Sequence, residues 1–158
     1  MTKPIFKIQK KILDSIYTQA AAEYPSECCG WILQYKNGEQ KYTPSVNLQD
    51  KYHKVDSAAY PRTSKDAFLM DVLKLSRELQ EAESMNGHLF SIVHSHIDVG
   101  AYFSSEDKKQ MSYNGEQIYP ADCYLVVNVH EARPDSQAVF YFNKEKNDFL
   151  EAEILIIN

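Results

Sequence analysis

The sequence has few cysteines. The three thiols, Cys28, Cys29 and Cys123, are odd in number and two are adjacent, which argues against a disulfide framework of the secreted kind. Adjacent cysteines beside Glu27 could also be metal ligands, but thiolate ligands usually come in spaced pairs such as Cys-x-x-Cys. We therefore expect small buried residues on a strand, because free cysteine is usually buried.

Long apolar runs are also missing. The N-terminal segment lacks the apolar core of a signal peptide, and no stretch approaches the length that spans a membrane. The sequence therefore predicts a cytoplasmic protein with no membrane partner.

Clusters of positive charge are absent as well. The chain carries 17 Lys and Arg against 22 Asp and Glu, a formal net charge of -5, and no basic run exceeds two residues. This pattern offers no footprint for nucleic acid and favours a partner with a cationic surface.

Neither repeats nor low-complexity linkers interrupt the chain. Its 158 residues, 44% hydrophobic and 25% charged, suit one domain over residues 1–158 with a sizeable core.

The first half of the chain predicts a helix and a hairpin. Apolar residues follow a helical stripe over residues 5–23, which Tyr24-Pro25 ends. A strand at 30–35, the turn Asn37-Gly38 and a strand at 40–43 form the hairpin, and residues 44–62 are turn-rich with strand-like fragments.

The second half alternates helices and strands. Ser64 is a plausible N-cap of a second helix that ends by Asn86-Gly87, before an apolar strand that begins near Leu89. Further elements are predicted at 105–113 (helix), 123–129, 138–142 and 152–157 (strands). The order predicts an α/β domain with a mixed sheet.

Residues 91–107 carry the most specific pattern. Side chains alternate along a strand, so His94 and His96 face one side while Ser95 points away. After a break at Gly100, the segment 104–107 has the composition of a helix N-cap and an acidic first turn, which places Asp107 on a helix near the strand's end.

Two imidazoles and one carboxylate suit a metal site with a fourth position open, the pattern of catalytic zinc. His-x-His alone would favour two satisfied polar residues at a sheet edge. Asp98 could suggest a different, polynuclear site, but His53, His88 and His130 fall in no ligand pattern, and the last two are predicted to be exposed.

The stretch resembles the JAMM metallopeptidases of the MPN domain family. Their signature is His-Ser/Thr-His, seven residues, Ser, two residues and Asp, which is matched by His94-Ser95-His96, residues 97–103, Ser104 and Asp107. The upstream segment 25–33 is similar to the Pro-x-Glu-x-Cys-Gly segment of bacterial and archaeal members, with Glu27 as the glutamate. Asn47 and the segment 53–56 are a weaker match to the family, whose members often have Asn and later Phe-x-Ile-Asp. Phe103 departs from the proline that many relatives have just before the serine.

The resemblance implies a single MPN-like domain whose mixed, curved sheet is flanked by helices. It implies one Zn²⁺ per chain on His94, His96 and Asp107, with Glu27 as proton acceptor and Ser104 as hydrogen-bond donor to the tetrahedral intermediate. Ser95 is expected to be structural, with its hydroxyl bonded behind the site.

The implied reaction is hydrolysis of a peptide or isopeptide bond after the C-terminal glycine of a ubiquitin-like or sulfur-carrier protein. Its extended, Gly-rich tail is expected to bind by strand addition beside the metal strand. Deconjugation, precursor processing and release of an amino acid from a sulfur carrier stay open, as does a homodimer. A metal-free MPN scaffold that binds partner proteins is the alternative from another class.

Overall fold

The computed structural model describes residues 2–158 as a mixed β-sheet with helices on its faces. Its elements are β1 (Ile5–Gln9), α1 (Lys10–Glu23), β2 (Cys29–Tyr35), β3 (Gln40–Ser45), α2 (Gln49–Val55), α3 (Val72–Ser84), β4 (Gly87–Ile97), α4 (Ser105–Met111), β5 (Ser112–Tyr113), β6 (Glu116–Gln117), β7 (Cys123–His130), β8 (Arg133–Asn143) and β9 (Asp148–Ile157).

Seven strands form the main sheet, in the order β1-β9-β8-β7-β4-β2-β3, and β5 and β6 form a separate small hairpin. The pairs β1–β9 and β4–β7 are parallel and the other neighbours are antiparallel. This confirms the predicted α/β fold with a mixed sheet flanked by helices. No helix among residues 2–158 is long and apolar enough to cross a membrane.

The sheet separates two apolar clusters, one under α1 and one under α3 and α4. A bulge in β4 assigns residues to these faces: Ile32 pairs with Ser91 and Leu33 with Leu89, so Phe90 is the extra residue. Leu89 and Ile92 consequently both face the α3 side. Alternation from Ile92 onward then sends His94 and His96 to that side and Ser95 to the α1 side.

The N-terminal segment corrects the prediction of one helix over residues 5–23. Residues 5–9 form β1, which pairs in parallel with β9, and only residues 10–23 are helical. Apolar positions at Ile5, Ile8 and Ile12 fit a helical period, but tertiary pairing with β9 decides the conformation of the first five residues.

Ser64 is not the N-cap of the second helix. Residues 65–71 are not helical, and α3 begins at Val72, where the Asp71 side chain accepts a hydrogen bond from the amide of Lys74. The Ser64 hydroxyl instead donates to Asp50 Oδ2 at 2.7 Å. Phe68 and Met70 are buried and Leu69 between them is half-buried, so this segment has a two-residue period and does not belong to the helical stripe.

Other element predictions differ at their ends. The turn-rich region contains α2, α3 ends at Ser84, and Gly87 opens β4 rather than closing a helix. The helix predicted at 105–113 ends at Met111 because the next residues enter the β5–β6 hairpin. The remaining strands form where predicted, with longer limits.

The topology limits strand addition beside the metal strand. β2 pairs with β4 as far as His94 and β7 pairs with it over residues 91–97, so an added strand could pair with β4 only beyond His94, on the β2 side. The sequence indicated a strand but carried no information on its position within the sheet.

Several predictions about individual side chains are confirmed. Cys28, Cys29 and Cys123 are free and fully buried at or beside strands, while His88 and His130 are exposed. Behind β4, the Ser95 hydroxyl accepts a hydrogen bond from the amide of Cys28 at 2.7 Å.

Asn47 joins three segments around the start of β2. Its Nδ2 donates to the carbonyls of Glu27 at 2.9 Å and Ala67 at 3.1 Å. Its Oδ1 accepts from the amides of Gln49 and Leu69, both at 3.0 Å. The side chain therefore uses its full capacity of two donors and two acceptor positions, and it fixes the backbone that carries Glu27.

We expect Asn47→Ala to lower the free energy of unfolding by about 2–4 kcal/mol, because four hydrogen bonds are lost together. For a chain of this size the melting temperature should fall by roughly 5–12 °C in thermal denaturation. Asn37→Ala is the matched control, since Asn37 is exposed and accepts one hydrogen bond, from Glu39. Equal melting temperatures for the two variants would contradict the role assigned to Asn47.

Candidate metal centre

Three buried side chains converge at the C-terminal end of β4. His94 and His96 extend from the strand and Asp107 from the first turn of α4, with exposures of 2%, 4% and 6%. His94 Nε2 and His96 Nε2 lie 3.2 Å apart, and each lies 3.1 Å from Asp107 Oδ2. The predicted ligand set is thus assembled from two histidines on one strand and an aspartate 11 and 13 positions further along the chain.

The spacing of these atoms suits one small cation. Zinc–nitrogen and zinc–oxygen bonds of about 2.0–2.1 Å in a tetrahedron put neighbouring ligand atoms about 3.3 Å apart. The observed separations of 3.1–3.2 Å are close to that value. The three atoms form one triangular face of such a tetrahedron, and its fourth corner is left for another ligand.

The tautomer of His96 supports the same conclusion. Its Nδ1 lies 3.0 Å from the carbonyl oxygen of Gly100, which can only accept, so Nδ1 carries the proton. In the neutral ring Nε2 then presents a lone pair to the Asp107 oxygen. Either a proton or a metal ion must lie between that nitrogen and the Asp107 oxygen, and a metal can take this place while Nδ1 keeps its proton.

Asp107 both completes the capping box at the start of α4 and contributes an oxygen to the candidate metal site. Ser104 is the N-cap: its hydroxyl accepts from the amide of Asp107 at 3.0 Å, and its own amide donates to Asp107 Oδ2 at 2.9 Å. Burial alone would raise the pKa of Asp107, but His94, His96 and the Ser104 amide outweigh burial and hold that pKa well below its usual value. The carboxyl is therefore ionised, as a metal ligand must be.

Aromatic rings hold His94 in place. Its imidazole stacks on Phe68 at 4.4 Å between ring centroids and meets the edge of Phe103 at 6.2 Å. Burial lowers the pKa of His94 despite the opposing charge of Asp107, which favours the neutral ring that binds metals. Phe103, where relatives often have proline, also packs against Tyr124, Phe140 and Phe149, so packing fixes this loop.

Glu27 lies between α1 and β2 and is 5% exposed. Its amide donates to the carbonyl of Ser64 at 2.6 Å, and its carbonyl accepts from Asn47. Burial raises the pKa of the Glu27 carboxyl to about 9, with Asp107 and Asp66 adding to the shift and Arg62 opposing it. The side chain is thus protonated at neutral pH unless a further positive charge is bound nearby.

One cleft joins the predicted residues. Glu27, His96 and Ser104 line a space of about 240 Å³ whose rim includes Tyr102 and Arg62. Among the hydrogen bonds of residues 2–158, the Ser104 hydroxyl acts as an acceptor, so its proton is available to a group in the cleft. The five predicted site residues therefore belong to one place, with Asp107 directly behind the cleft wall.

Sequence reasoning missed several residues of this cleft. Arg62 and Asp66 approach Glu27 closely enough to affect its pKa, and Tyr102 packs edge-on against His96 at 4.8 Å. Nothing in the sequence pattern marked these three. Asn128 was also missed, although a polar residue within the buried run of β7 was a usable signal.

Comparison with curated proteins finds a phage relative. The chain is 35% identical over 103 residues to "Tail tip assembly protein K" of Escherichia phage N15, an alignment that covers 65% of this chain and 35% of the relative. The match thus spans about a third of the length of the curated relative.

Solved structures share the fold. A protein from Desulfitobacterium hafniense matches with a TM-score of 0.68 and 20% identity, covering 98% of this chain and 94% of its own. A protein from Salinibacter ruber matches at 0.61 and 19%, covering 100% and 92%. A JAB1/MPN domain protein from Archaeoglobus fulgidus matches at 0.52 and 16%, covering 95% and 99%.

The family comparison covers most of the chain, including the whole candidate metal centre. Residues 9–141 match the family described as "Prokaryotic homologs of the JAB domain". The chain therefore belongs to the prokaryotic JAB domain family.

Proposed function

We propose that this protein is a zinc-dependent peptidase that hydrolyses a peptide or isopeptide bond after the C-terminal glycine of a ubiquitin-like or sulfur-carrier protein. The observation that carries the proposal is the convergence of His94, His96 and Asp107 beside a cleft that Glu27 and Ser104 also line. Peptide hydrolysis needs all of these chemical groups, and a structural metal site needs only the ligands.

Zinc, when bound, supplies Lewis acidity, which polarises a carbonyl group and lowers the pKa of water to about 7. Two neutral imidazoles and one carboxylate leave net positive charge at such a centre. The ring nitrogen of His96 that would not bind the metal has a hydrogen-bond partner, since the Gly100 carbonyl accepts its Nδ1 proton. The residues present thus fit zinc as the metal.

Glu27 is the proposed proton carrier. A dication at the ligand triangle lowers the pKa of this buried carboxyl from its raised value, toward the range of a general base at neutral pH. Glu27 would then accept a proton from the attacking water and deliver it to the leaving nitrogen.

Ser104 is the proposed donor to the developing oxyanion. Its cap to the Asp107 amide uses an oxygen lone pair, so the hydroxyl proton stays free to donate into the cleft. Both roles can therefore operate in the same hydroxyl.

The proposed substrate is a narrow, extended tail. At about 240 Å³ the cleft is smaller than the 300–1,000 Å³ range of pockets for drug-sized ligands, which favours glycine over bulky side chains. Because β2 and β7 pair with both edges of β4 as far as His94, we propose that the tail lies in the cleft between residues 62–66 and 99–106.

The direct test is incubation with ubiquitin-like proteins from the same genome that carry C-terminal extensions, read by mass spectrometry. Cleavage after the terminal glycine supports the proposal, and the mass of the released group separates deconjugation, precursor processing and release of an amino acid. Intact substrates in the presence of stoichiometric zinc would contradict peptidase activity on this class.

A second candidate is an assembly or scaffold role, which the name of the phage relative, a tail tip assembly protein, favours. A scaffold needs partner-binding surfaces but no ligand triangle. Zinc content of protein purified without added metal separates the two candidates, since a scaffold of this kind would hold none.

The first expectation is that the protein binds about one zinc per chain and that His96→Ala abolishes binding, because two ligands retain little affinity. Metal analysis after dialysis measures the stoichiometry. His88→Ala is the matched control, since His88 is exposed at the opposite end of the same strand. Stoichiometric zinc in a His94/His96 double alanine variant would rule out this site.

Glu27→Gln should retain zinc and lose turnover, since an amide cannot accept the proton of water.

The same variant should change how the stability of the metal-free protein depends on pH. The pKa of Glu27 is raised from 4.5 to about 9, so the folded state keeps a proton that the unfolded chain releases. Stability should therefore fall as pH rises between those values, by up to about 1.4 kcal/mol per pH unit.

Thermal denaturation in chelator across that pH range measures this slope. The parent should lose stability more steeply with rising pH than Glu27→Gln, which has no carboxyl to titrate. Parallel pH profiles, or normal hydrolysis by the zinc-loaded variant, would remove Glu27 from its proposed role.

Ser104→Ala distinguishes a cap from an oxyanion donor by magnitude. Loss of an N-cap costs about 1 kcal/mol of stability, whereas loss of an oxyanion donor lowers the rate by about two to three orders of magnitude. We expect the large rate effect with zinc binding preserved and a small fall in melting temperature. Ser105→Ala is the adjacent control, and similar rates for both variants would reduce Ser104 to a helix cap.

A further inference from the structure

Asn128 lies beside the metal centre on the neighbouring strand. It is the register partner of His96 in the parallel β4–β7 pair and is 5% exposed. The flanking Val127 and Val129 are fully buried against the α1 side. A buried amide in such a strand is costly unless its polar atoms are bonded, and here both are.

The amide of Asn128 has one possible orientation. Its Nδ2 donates to Asp135 Oδ1 at 2.9 Å, and an ionised carboxylate can only accept. Its Oδ1 is thereby turned to the backbone amide of Gly100, which donates to it at 2.8 Å. Asp135 thus fixes the orientation of Asn128, and Asn128 in turn fixes the position of Gly100.

Gly100 passes this constraint to a metal ligand. Its φ of 97° is in the left-handed region that favours glycine, and its carbonyl accepts the Nδ1 proton of His96 at 3.0 Å. Donors therefore point in one direction through the whole series, from His96 to Gly100, to Asn128 and to Asp135.

We propose that Asn128 is a positioning residue for the metal centre: through Gly100 it holds His96 in the tautomer and orientation whose Nε2 lone pair faces Asp107. The inference rests on the proposed function only in requiring that the centre binds metal. Among the hydrogen bonds of residues 2–158, none joins the Asn128 side chain to the ligand triangle, so its polar connection to the centre runs through the Gly100 backbone.

The turn at 97–100 has a second attachment, which separates positioning from folding. The Asp98 amide donates to the carbonyl of Val129 at 2.9 Å, and the Asp98 carboxylate accepts from Tyr24 and from the amide of Glu131. These contacts remain when Asn128 is truncated. The turn should stay in place while the Gly100 carbonyl loses its fixed direction.

The test compares Asn128→Ala with Val127→Ala in the full chain. Val127 is adjacent, fully buried and on the opposite face, so its truncation lowers the melting temperature without touching this series of bonds. Zinc affinity is measured by competition with a chromophoric chelator, below both melting temperatures. The His96 tautomer is measured in metal-free protein by long-range ¹H–¹⁵N correlation of the ring nitrogens.

We expect Asn128→Ala to weaken zinc binding about 10- to 100-fold, the range seen when partners of metal-bound histidines are removed. In the metal-free parent and in Val127→Ala, Nδ1 of His96 should stay protonated, whereas Asn128→Ala should populate the form whose Nδ1 carries no proton. Val127→Ala should bind zinc like the parent despite its lower stability.

Asp135→Ala is the second variant, because Asp135 is exposed and its loss should not prevent folding. It frees the Asn128 amide to turn and should weaken zinc binding in the same direction, by about two- to tenfold. Unchanged zinc affinity and an unchanged His96 tautomer in both variants would overturn the proposal. Failure of the parent to cleave any tail would count against the peptidase and leave these two readouts intact.

Discussion

The close approach of three electron-rich atoms is the constraint on which the rest of the structure depends. Two imidazole nitrogens and a carboxylate oxygen lie 3.1–3.2 Å apart in a buried position, an arrangement that is unfavourable unless protons or a cation lie between the atoms. The fold holds them by separate means: a strand paired on both edges, aromatic packing on His94 and a capping box on Asp107. Each support is made of protein contacts alone, so the centre is preorganised before metal binds.

The cleft beside the ligand triangle contains a second energetically unfavourable group, the buried carboxyl of Glu27. Burial raises the pKa of Glu27, so this carboxyl opposes folding once it ionises without a nearby cation. Asn47 and Ser64 hold its backbone with hydrogen bonds on both sides. Residues 47 and 64 therefore hold in place a residue whose buried carboxyl is energetically unfavourable. Such a loss of stability is common at functional sites.

The sequence predicted the ligand triangle well because its geometry is local. Strand alternation puts His94 and His96 on the same face of β4, and the helix cap positions Asp107 in the first turn of α4. Only a short loop separates the two elements. Errors arose where distant contacts decide the structure. Residues 5–9 become a strand only through pairing with β9, and Ser64 turns to Asp50 rather than capping a helix. Strand order is equally non-local, so the pairing of β4 with β2 and β7 could not be predicted from residues 87–97 alone.

This contrast between local and distant contacts also separates the two candidate functions. A chain can keep the ligand triangle with few residues, because 94–107 supply all three ligands. Glu27 comes from far upstream, and its place in the cleft depends on bonds to Asn47 and Ser64 from a different region. A scaffold would have no need to maintain those bonds or to bury a carboxyl at a cost in stability. The burial of Glu27 is therefore the feature that most favours catalysis over a scaffold role.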